Sequence, residues 1–260
     1  MHLASSTKEL AAIIRSGRGV GSITAGSCNI CGRRSFFLSP DKSRRRESNH
    51  CIFCGSNSRN RHIAKEALSI FDAGSTSVRR SEGLKRLRIL NTGWKDPMTH
   101  FLADSDSYFY SEYFPDVRPG TRIEKQGYCE DIQALSFQDG YFDLIISEDV
   151  LEHVRDYKKG LAEVHRVLKQ GGYHIFTVPY RSGAPTLIRV DTSSDKDVQL
   201  MDPEYHGGGP SGKILAYRTF GTDFLDDLER AGFDTRVSYP RNEDARQGIA
   251  DTYVFISRRT

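Results

Sequence analysis

Four cysteines in the first quarter of the chain have the spacing of a metal site. Cys28 and Cys31 form one C-x-x-C pair, 19 residues follow, and Cys51 and Cys54 form a second pair. Two such pairs at this separation are typical of a structural zinc site, in which four thiolates surround one tetrahedral ion. A glycine follows each pair and relieves the turn behind it. The sequence therefore predicts a zinc ion that stabilises a small segment lacking a core of its own.

Two other residues, His50 and Cys129, could in principle belong to the zinc site. His50 precedes Cys51 and is an alternative ligand, but four thiolates already complete a closed site. Disulfides are rare in cytosolic proteins, so zinc is favoured over two disulfide bonds. The fifth cysteine, Cys129, lies far away in the sequence and is predicted to be an ordinary buried residue.

Basic residues cluster around the cysteines, although the net charge of the whole chain is only +3. They are Arg33, Arg34, Arg44, Arg45, Arg46, Arg59 and Arg61. The favoured interpretation is a solvated loop of a zinc segment. The alternative is a surface that binds phosphate or nucleic acid, with Phe36 and Phe37 available for stacking.

Histidines supply the second group of candidate residues. The segment Glu204-Tyr205-His206 is followed by three glycines, which allow close approach of a backbone to a ligand, and His206 can titrate near neutral pH. It lies in a long connection, 180–217, of the kind that usually forms a lid or binding loop. His153 lies in the segment V-L-E-H-V, where a packed structural role is the alternative.

The elements that position these residues centre on 142–179. An apolar run, Leu144 to Ile146, predicts a strand buried on both faces. Leu161, Val164 and Leu168 recur at helical spacing, and two glycines at 171 and 172 are expected to end that helix before the strand YHIFTV. This strand–helix–strand unit predicts a doubly wound α/β sheet.

The same stretch resembles a known family. FDLIIS, VLEHV and HRVLKQGGYHIFTVP are similar to the region from the fourth to the fifth strand of class I S-adenosylmethionine-dependent methyltransferases of the type 11 group. Gln170 stands where the group usually has proline, and the resemblance covers roughly 85–257. It implies an α/β fold with a doubly wound, mostly parallel, seven-stranded Rossmann-like sheet. The domain is expected to end with a helix, FLDDLERA, capped by Thr222, and two last strands.

The resemblance also implies a cofactor loop after the first strand, Leu87 to Asn91. In the family, an acidic residue ends this strand and a G-x-G-x-G turn approaches the methionine part of the cofactor. Here Asn91 replaces the acid and only Gly93 remains of the glycine pattern. Both positions are predicted to bind S-adenosylmethionine, in a loop bulkier than the family's.

Four further cofactor residues follow from the resemblance. Glu112 follows the second strand and is predicted to accept hydrogen bonds from the ribose hydroxyls. Asp131 and Ile132 are predicted to contact the adenine, with a local cap as the alternative for Asp131. Ser147 lies at the mouth after the fourth strand, where ligands of open α/β sheets bind.

The implied function is methyl transfer. A Y-H-G segment followed by Y-R-x-F-G resembles one subgroup's substrate-facing insertion and makes His206 the first candidate for a general base and His153 the second. The favoured acceptor is a hydroxyl of a small molecule, sugar or natural product. The alternatives are an RNA methyltransferase that uses the basic zinc segment, and a non-catalytic binding protein on a methyltransferase scaffold, which the reduced glycine loop favours.

The predicted organisation has four parts. An N-terminal helix and linker (1–26) precede the zinc-ribbon-like segment (27–56). A connecting helix with Ser56 or Ser58 as its cap, and a linker, span 57–84, and the methyltransferase domain spans 85–260. No apolar run approaches the roughly 20 residues of a membrane helix, and no secretory signal is evident, so a cytoplasmic protein without a membrane partner is expected.

Overall fold

The computed structural model describes residues 21–40, 46–93, 96–207 and 212–260. These residues form two compact units. The first contains 21–40, 46–86, 96–105 and 238–254, and the second contains 87–93, 106–207, 212–237 and 255–260. The helix predicted between residues 5 and 16 lies outside the described residues.

The first unit begins with a small antiparallel sheet. Strands β1 (Ser22–Ser27), β2 (Arg34–Ser39) and β3 (His50–Cys51) pair in that order. Helix α1 (Ser58–Phe71) follows. Its cap is Asn57 rather than either neighbouring serine. The Asn57 side chain accepts from the Asn60 backbone N–H at 3.0 Å, and the Asn60 side chain accepts from the Asn57 N–H at 2.9 Å.

Short helices complete this unit. Helix α2 (Glu82–Lys85), helix α3 (Thr99–Leu102) and 3₁₀ turns at Val78–Arg80 and Asn242–Gln247 belong to it. The side chain of Ser81 caps α2 by accepting from the Leu84 N–H at 3.1 Å.

A seven-stranded sheet forms the second unit. In chain order its strands are β4 (Ile89–Asn91), β5 (Tyr108–Glu112), β6 (Gly127–Cys129), β7 (Phe142–Glu148), β8 (Leu168–Thr177), β15 (Phe233–Ser238) and β16 (Val254–Arg259). Their spatial order is β15-β16-β8-β7-β4-β5-β6. Neighbours from β8 to β6 are parallel, and β16 runs antiparallel to β8. The predicted doubly wound, mostly parallel sheet is confirmed.

The central strand–helix–strand unit is present, but its helix ends earlier than predicted. Helix α4 (Tyr157–Val167) begins at the cap Asp156, and β8 starts at Leu168, so both glycines lie inside the strand. A Cβ at Gly172 would lie 3.1 Å from the Asp143 carbonyl oxygen. That close approach of β8 to β7 explains why glycine stands inside a strand here. Lys169 is therefore a strand residue, and its ammonium pairs with the Asp143 carboxylate at 2.6 Å.

The long connection after β8 is more regular than its sequence indicates. It forms three two-stranded antiparallel ladders, namely β9 (Leu187–Ile188) with β14 (Arg218–Thr219), β10 (Val190–Asp191) with β11 (Val198–Gln199), and β12 (Glu204–His206) with β13 (Ile214–Ala216). Helix α5 (Phe224–Arg230) follows, with Asp223 rather than Thr222 at its N-cap position. Among the described residues, no helix combines the length and the apolar character needed to cross a membrane.

Candidate functional site

The parallel register aligns the carboxyl ends of three neighbouring strands. Asn91 at the end of β4 lies beside Tyr110 of β5 and Ile146 of β7. Gly93, Glu112 and Glu148 each follow these paired positions by two residues. Ligands of open α/β sheets bind at this edge. The register thus brings the predicted glycine turn and the predicted ribose-binding carboxylate to one level of the sheet.

The two residues that flank this edge differ in accessibility. Asn91 is buried, and its side-chain amide donates to the Tyr108 hydroxyl at 3.0 Å, so its side chain lies inside the domain. Glu112 is half-buried and accepts from the Tyr113 N–H at 3.1 Å. A carboxylate has about four acceptor sites. The Glu112 carboxylate is therefore of the type predicted to accept from ribose hydroxyls, whereas the side chain of Asn91 is engaged inside the domain.

The remaining predicted cofactor residues occupy different environments. Asp131 is half-buried, and its carboxylate accepts from the Gln133 backbone N–H at 2.8 Å, as in a local turn. Ile132 is buried, and its Cγ2 atom lies 3.4 Å from where a Cβ at Gly160 of α4 would be. Ser147 is fully buried, and its hydroxyl lies 2.8 Å from the His174 Nε2 atom. The Ser147 side chain therefore faces the interior.

Both candidate bases meet beside a buried carboxylate. His153 ends a 3₁₀ turn (Leu151–His153) that follows β7, and His206 ends β12. The His206 Nδ1 atom lies 3.1 Å from the His153 Nε2 atom. The Glu152 Oε1 atom lies 3.5 Å from that Nδ1 and 3.7 Å from that Nε2. We call Glu152, His153 and His206 the Glu–His–His cluster.

Burial and mutual contact shift the pKa values in this cluster. Glu152 is 0% exposed, and burial, together with the nearby Asp149 carboxylate, raises the pKa of its carboxyl to about 7. Burial lowers the pKa of His153. The Glu152 carboxylate raises the pKa of His206. Perturbed groups gathered beside the mouth of a sheet are typical of functional sites.

The turn that carries Glu152 and His153 is held firmly against the insertion. Arg218 is buried, and its guanidinium donates to the carbonyl oxygens of Leu151, Val154 and Arg155 at 3.1, 2.6 and 2.9 Å. The Tyr217 N–H donates to the Glu152 carbonyl at 2.8 Å. These bonds fix the distance between the 3₁₀ turn and the β12–β13 hairpin, and thereby the geometry of the cluster.

The sequence assigns no role to three residues of this site, Glu152, Glu204 and Arg189. It does place Glu152 beside His153 at the mouth after the fourth strand, and Glu204 in the segment that ends at His206. Glu204 lies 3.2 Å from the His206 Nε2 atom and also pairs with Arg189. The signal for Glu152 was an acid between apolar residues and a histidine in V-L-E-H-V, since a lone acid in an apolar segment needs a partner. No comparable signal marks Arg189.

The four cysteines of the first unit meet at one point. Cys28 follows β1, Cys51 lies in β3, and the second member of each pair lies in the turn that follows. The Sγ atoms of Cys28 and Cys54 are 3.7 Å apart, and those of Cys31 and Cys51 are 3.9 Å apart. Zn–S bonds of about 2.3 Å at tetrahedral angles place two sulfurs about 3.8 Å apart. The cysteines therefore fit a zinc ion.

The turns behind the cysteines have the predicted form. Gly32 and Gly55 adopt φ angles of 73° and 72°, which glycine tolerates at no steric cost. Their N–H groups donate to the carbonyl oxygens of Cys28 and Cys51 at 2.8 and 2.9 Å. His50 places its Nδ1 atom 3.1 Å from the Gly55 carbonyl, away from the sulfurs. His50 is thus no fifth ligand, and Cys129 is buried in the other unit, as predicted.

Part of the basic, aromatic surface proposed around the zinc segment is buried among the described residues, whereas Arg44 and Arg45 lie outside them. Phe37 is fully buried, and the Arg61 guanidinium carbon lies 4.2 Å above its ring. Arg61 is itself fully buried. Phe36 is exposed, and Arg33 stacks on the ring of Phe53 at 5.0 Å. Two of the residues expected to contact nucleic acid therefore serve the interior of the first unit.

Part of the second unit matches a known family. Residues 112–176, from the end of β5 to β8, match the model of the Methyltransf_11 family, described as a methyltransferase domain. Those strands lie in the seven-stranded order described above. The family resemblance drawn from the central motif is confirmed over these residues.

One curated relative is an uncharacterized protein, MJ0638, of Methanocaldococcus jannaschii. It is 29% identical over 143 residues, which are 53% of this chain and 62% of the relative. The chain thus spans less than two thirds of the length of this relative.

Solved structures of methyltransferases are also similar to the chain, at low identity. An S-adenosylmethionine-dependent methyltransferase from Mesorhizobium loti is 18% identical with a TM-score of 0.42, covering 67% of this chain and 91% of that one. A methyltransferase in complex with the Trm112 activator of Haloferax volcanii is 16% identical with a TM-score of 0.45, covering 77% and 90%. A Burkholderia thailandensis 1,6-didemethyltoxoflavin-N1-methyltransferase is 17% identical with a TM-score of 0.36, covering 76% and 87%.

Proposed function

We propose that this protein transfers the methyl group of S-adenosylmethionine to a hydroxyl of a small-molecule, sugar or natural-product acceptor. The observation that carries the proposal is the position of Glu112, a half-buried carboxylate level with Gly93 at the carboxyl edge of a methyltransferase-type sheet. Fold alone does not assign an activity. The proposal therefore rests on these residues and on the family match of residues 112–176, which begins at Glu112.

The cofactor supplies an activated methyl group on a sulfonium when bound, and the chain supplies binding and orientation. Glu112 holds the ribose hydroxyls, since a carboxylate offers two oxygens to two donors. Asp131 and Ile132 border the adenine, and the turn at Gly93 receives the methionyl part. Holding donor and acceptor in line supplies much of the rate enhancement of such a reaction.

The acceptor hydroxyl must lose its proton, and the Glu–His–His cluster is the place for this step. The cluster unites the turn after β7 with the β12–β13 hairpin, so that an acceptor meets both the sheet edge and the insertion. His206 is the first candidate for the group that meets the acceptor because its side chain is 29% exposed, against 11% for His153. The insertion 180–217 then acts as the wall that excludes water from the acceptor.

The zinc ion proposed in the first unit has a structural role. Four buried or half-buried thiolates leave no open position for a substrate. The RNA alternative has less support, because Phe37 and Arg61 are buried.

Replacing Glu112 by alanine should weaken the binding of S-adenosylmethionine by about 10- to 100-fold, because hydrogen bonds to a charged group contribute about 1.5–3 kcal/mol. The measurement is calorimetric titration of the zinc-loaded protein with S-adenosylmethionine and with S-adenosylhomocysteine. Both ligands carry the same ribose, so both should weaken to the same degree.

Glu112→Gln is the matched control, because it keeps the shape and one acceptor oxygen but removes the charge. We expect its loss of affinity to lie between those of the wild type and Glu112→Ala. Equal affinity in all three proteins would contradict the assigned position of the ribose. Undetectable binding by the wild type would instead favour the non-catalytic scaffold that the short glycine loop suggests.

A further inference from the structure

The Glu–His–His cluster has a feature that packing does not explain. Neither oxygen of the fully buried Glu152 carboxylate has a hydrogen-bond partner in the part of the chain that the structure describes. Its nearest histidine nitrogens, at 3.5 and 3.7 Å, lie beyond good hydrogen-bond distance. A buried charge without a partner is costly, and proteins pair such groups or bind metal ions with them.

Both histidines are oriented so that a lone pair points into the cluster. The His153 Nδ1 atom lies 2.8 Å from the Leu215 carbonyl oxygen, which only an N–H can satisfy, so Nε2 is the acceptor nitrogen. The His206 Nε2 atom lies 3.2 Å from the Glu204 carboxylate, so in the neutral ring the proton is on Nε2 and the lone pair is on Nδ1. Metal-binding histidines are oriented in this way, with the second nitrogen donating to a carbonyl or a carboxylate.

The three inward atoms have the separations of ligands on one ion. Their mutual distances are 3.1, 3.5 and 3.7 Å. The point equidistant from all three lies about 2.0 Å from each, which matches the zinc–nitrogen and zinc–oxygen bond lengths of about 2.0–2.2 Å. Without a metal ion, a proton on the His206 Nδ1 atom, donated to the His153 Nε2 atom, would have to separate the two lone pairs.

We infer that the Glu152 Oε1, His153 Nε2 and His206 Nδ1 atoms bind a divalent transition-metal ion, separate from the zinc ion of the four cysteines. Two imidazoles and one carboxylate suit Zn²⁺, Fe²⁺ or Co²⁺ better than Mg²⁺ or Ca²⁺, which prefer oxygen ligands. Three protein ligands leave a position open, as in catalytic metal sites. His206 is the most exposed of the three, so the open position faces the side from which an acceptor arrives.

The use of this ion rests on the proposed methyl transfer and refines the role given to the histidines. An ion held by these three residues would supply Lewis-acid chemistry, in that it would polarise an acceptor hydroxyl and lower its pKa, so that the proton could leave to water. The oxygen lone pair then forms the O–CH₃ bond while the C–S bond of S-adenosylmethionine breaks. That electron pair stays on sulfur and gives neutral S-adenosylhomocysteine. The histidines are ligands in this step rather than free bases.

The test is calorimetric and spectroscopic titration of the full-length, zinc-loaded protein with Co²⁺. We expect one further equivalent to bind and to give visible absorption without the thiolate charge-transfer bands of a cysteine site. Glu152→Gln and His206→Ala should each weaken Co²⁺ binding by more than about 100-fold, because each removes a ligand. Glu204→Gln should weaken it by about 10- to 100-fold, as expected for the partner of a ligand.

His165→Gln is the matched control, because His165 lies on α4 outside the cluster, and its Co²⁺ affinity should equal that of the wild type. Circular dichroism checks that each variant is folded. If Glu152→Gln does not fold, His206→Ala, which changes a residue of a hairpin, still tests the inference. No binding of a further equivalent would overturn the inference and leave a shared proton in the cluster. Equal Co²⁺ affinity in the wild type and both ligand variants would overturn it as well.

This outcome is separable from that of the proposed function. Co²⁺ binding does not require S-adenosylmethionine, and the titrations of the Glu112 variants do not require Co²⁺. Loss of cofactor binding with intact Co²⁺ binding would reject methyl transfer alone. Cofactor binding without Co²⁺ binding would reject the metal site alone and return His206 to the role of general base.

Discussion

Replacing Cys51 by serine should remove the zinc ion from the first unit and unfold the three-stranded sheet around it. Cys51 lies in β3, and its Sγ atom is 3.9 Å from that of Cys31 and 3.2 Å from the Ser35 hydroxyl. Structural zinc contributes about 10–16 kcal/mol of apparent binding free energy in isolated zinc-finger peptides. A sheet whose last strand, β3, has two residues cannot replace that contribution. Zinc content, measured by mass spectrometry, should fall from about one equivalent to near zero.

Cys129→Ser is the matched control for this change. Cys129 is buried in the second unit, and its thiol lies 3.3 Å from the Val117 carbonyl oxygen. Its replacement should leave zinc content unchanged, whatever it does to the stability of the sheet domain. If Cys51→Ser kept its zinc and the thermal unfolding midpoint of the wild type, the zinc site would be wrong.

The features that sequence predicted correctly are those set by neighbours along the chain. The C-x-x-C spacing and the glycine after each pair determine the two turns, because both the thiolates and the glycine N–H belong to the same few residues. Likewise, a continuous apolar run before an amphipathic helix indicates a buried strand and its crossover without any knowledge of distant residues. The seven-stranded sheet followed from such local patterns together with the family resemblance.

The Glu–His–His cluster followed from none of these patterns. His153 and His206 are 53 residues apart, and their contact depends on the register of the β12–β13 hairpin, in which His206 pairs with Ile214. Strands of two or three residues carry no period-two signal. The sequence therefore names the two histidines as separate candidates, and only the hairpin shows that they meet beside Glu152.

Helix boundaries and side-chain directions were also beyond local reasoning. Ser147 follows a continuous apolar run that allows either face, and only the sheet shows that its hydroxyl meets His174 in the interior. The glycines at 171 and 172 looked like a helix stop, but the close approach of β8 to the Asp143 carbonyl requires Gly172 inside the strand. In both cases a contact with a neighbouring strand decided between two locally acceptable structures.

Arg61 shows the same limit of local sequence patterns, and here the expected effect on the free energy of unfolding is the largest. In sequence it is one of seven arginines near the cysteines. In the structure its guanidinium donates to the Asn49 carbonyl at 2.6 Å, to the Gln247 carbonyl at 2.6 Å and to the Gly248 carbonyl at 2.8 Å, and also to the Ser56 carbonyl. Gln247 is 186 residues away in the chain. No local pattern distinguishes such a residue from a solvated one.

Arg61 also stabilises the charge of the proposed zinc site. Its guanidinium donates to the Ser56 hydroxyl at 3.1 Å, and that oxygen lies 3.2 and 3.6 Å from the Sγ atoms of Cys54 and Cys28. A zinc ion with four thiolates carries two net negative charges. A buried cation one hydroxyl away therefore offsets part of that charge, and the thiolates in turn favour the charged guanidinium, although burial lowers the pKa of Arg61 to about 10.

Replacing Arg61 by methionine should accordingly lower the free energy of unfolding by at least about 3 kcal/mol. The change removes a donor from four buried carbonyl groups, at about 1–3 kcal/mol for each that stays unpaired, and it removes the counter-charge of the thiolates. Two of these carbonyls keep a second donor, because the Cys51 N–H donates to that of Ser56 at 2.9 Å and the Asn49 amide donates to that of Gly248 at 3.2 Å. The measurement is urea unfolding of the zinc-loaded protein. Zinc should also dissociate faster into a competing chelator, which a loss of packing alone would not require.

Lys85→Met is the matched control, since it removes a cation from the same unit. Lys85 pairs only across the surface with Glu82, at 2.8 Å and with both side chains at least 36% exposed, so its loss should change the free energy of unfolding by less than about 1 kcal/mol. An Arg61→Met protein as stable as Lys85→Met would mean that the four carbonyl groups find other donors. Equal rates of zinc release from both variants would mean that Arg61 does not stabilise the charge of the thiolates. Its role would then be only to join α1 to the 247–248 turn.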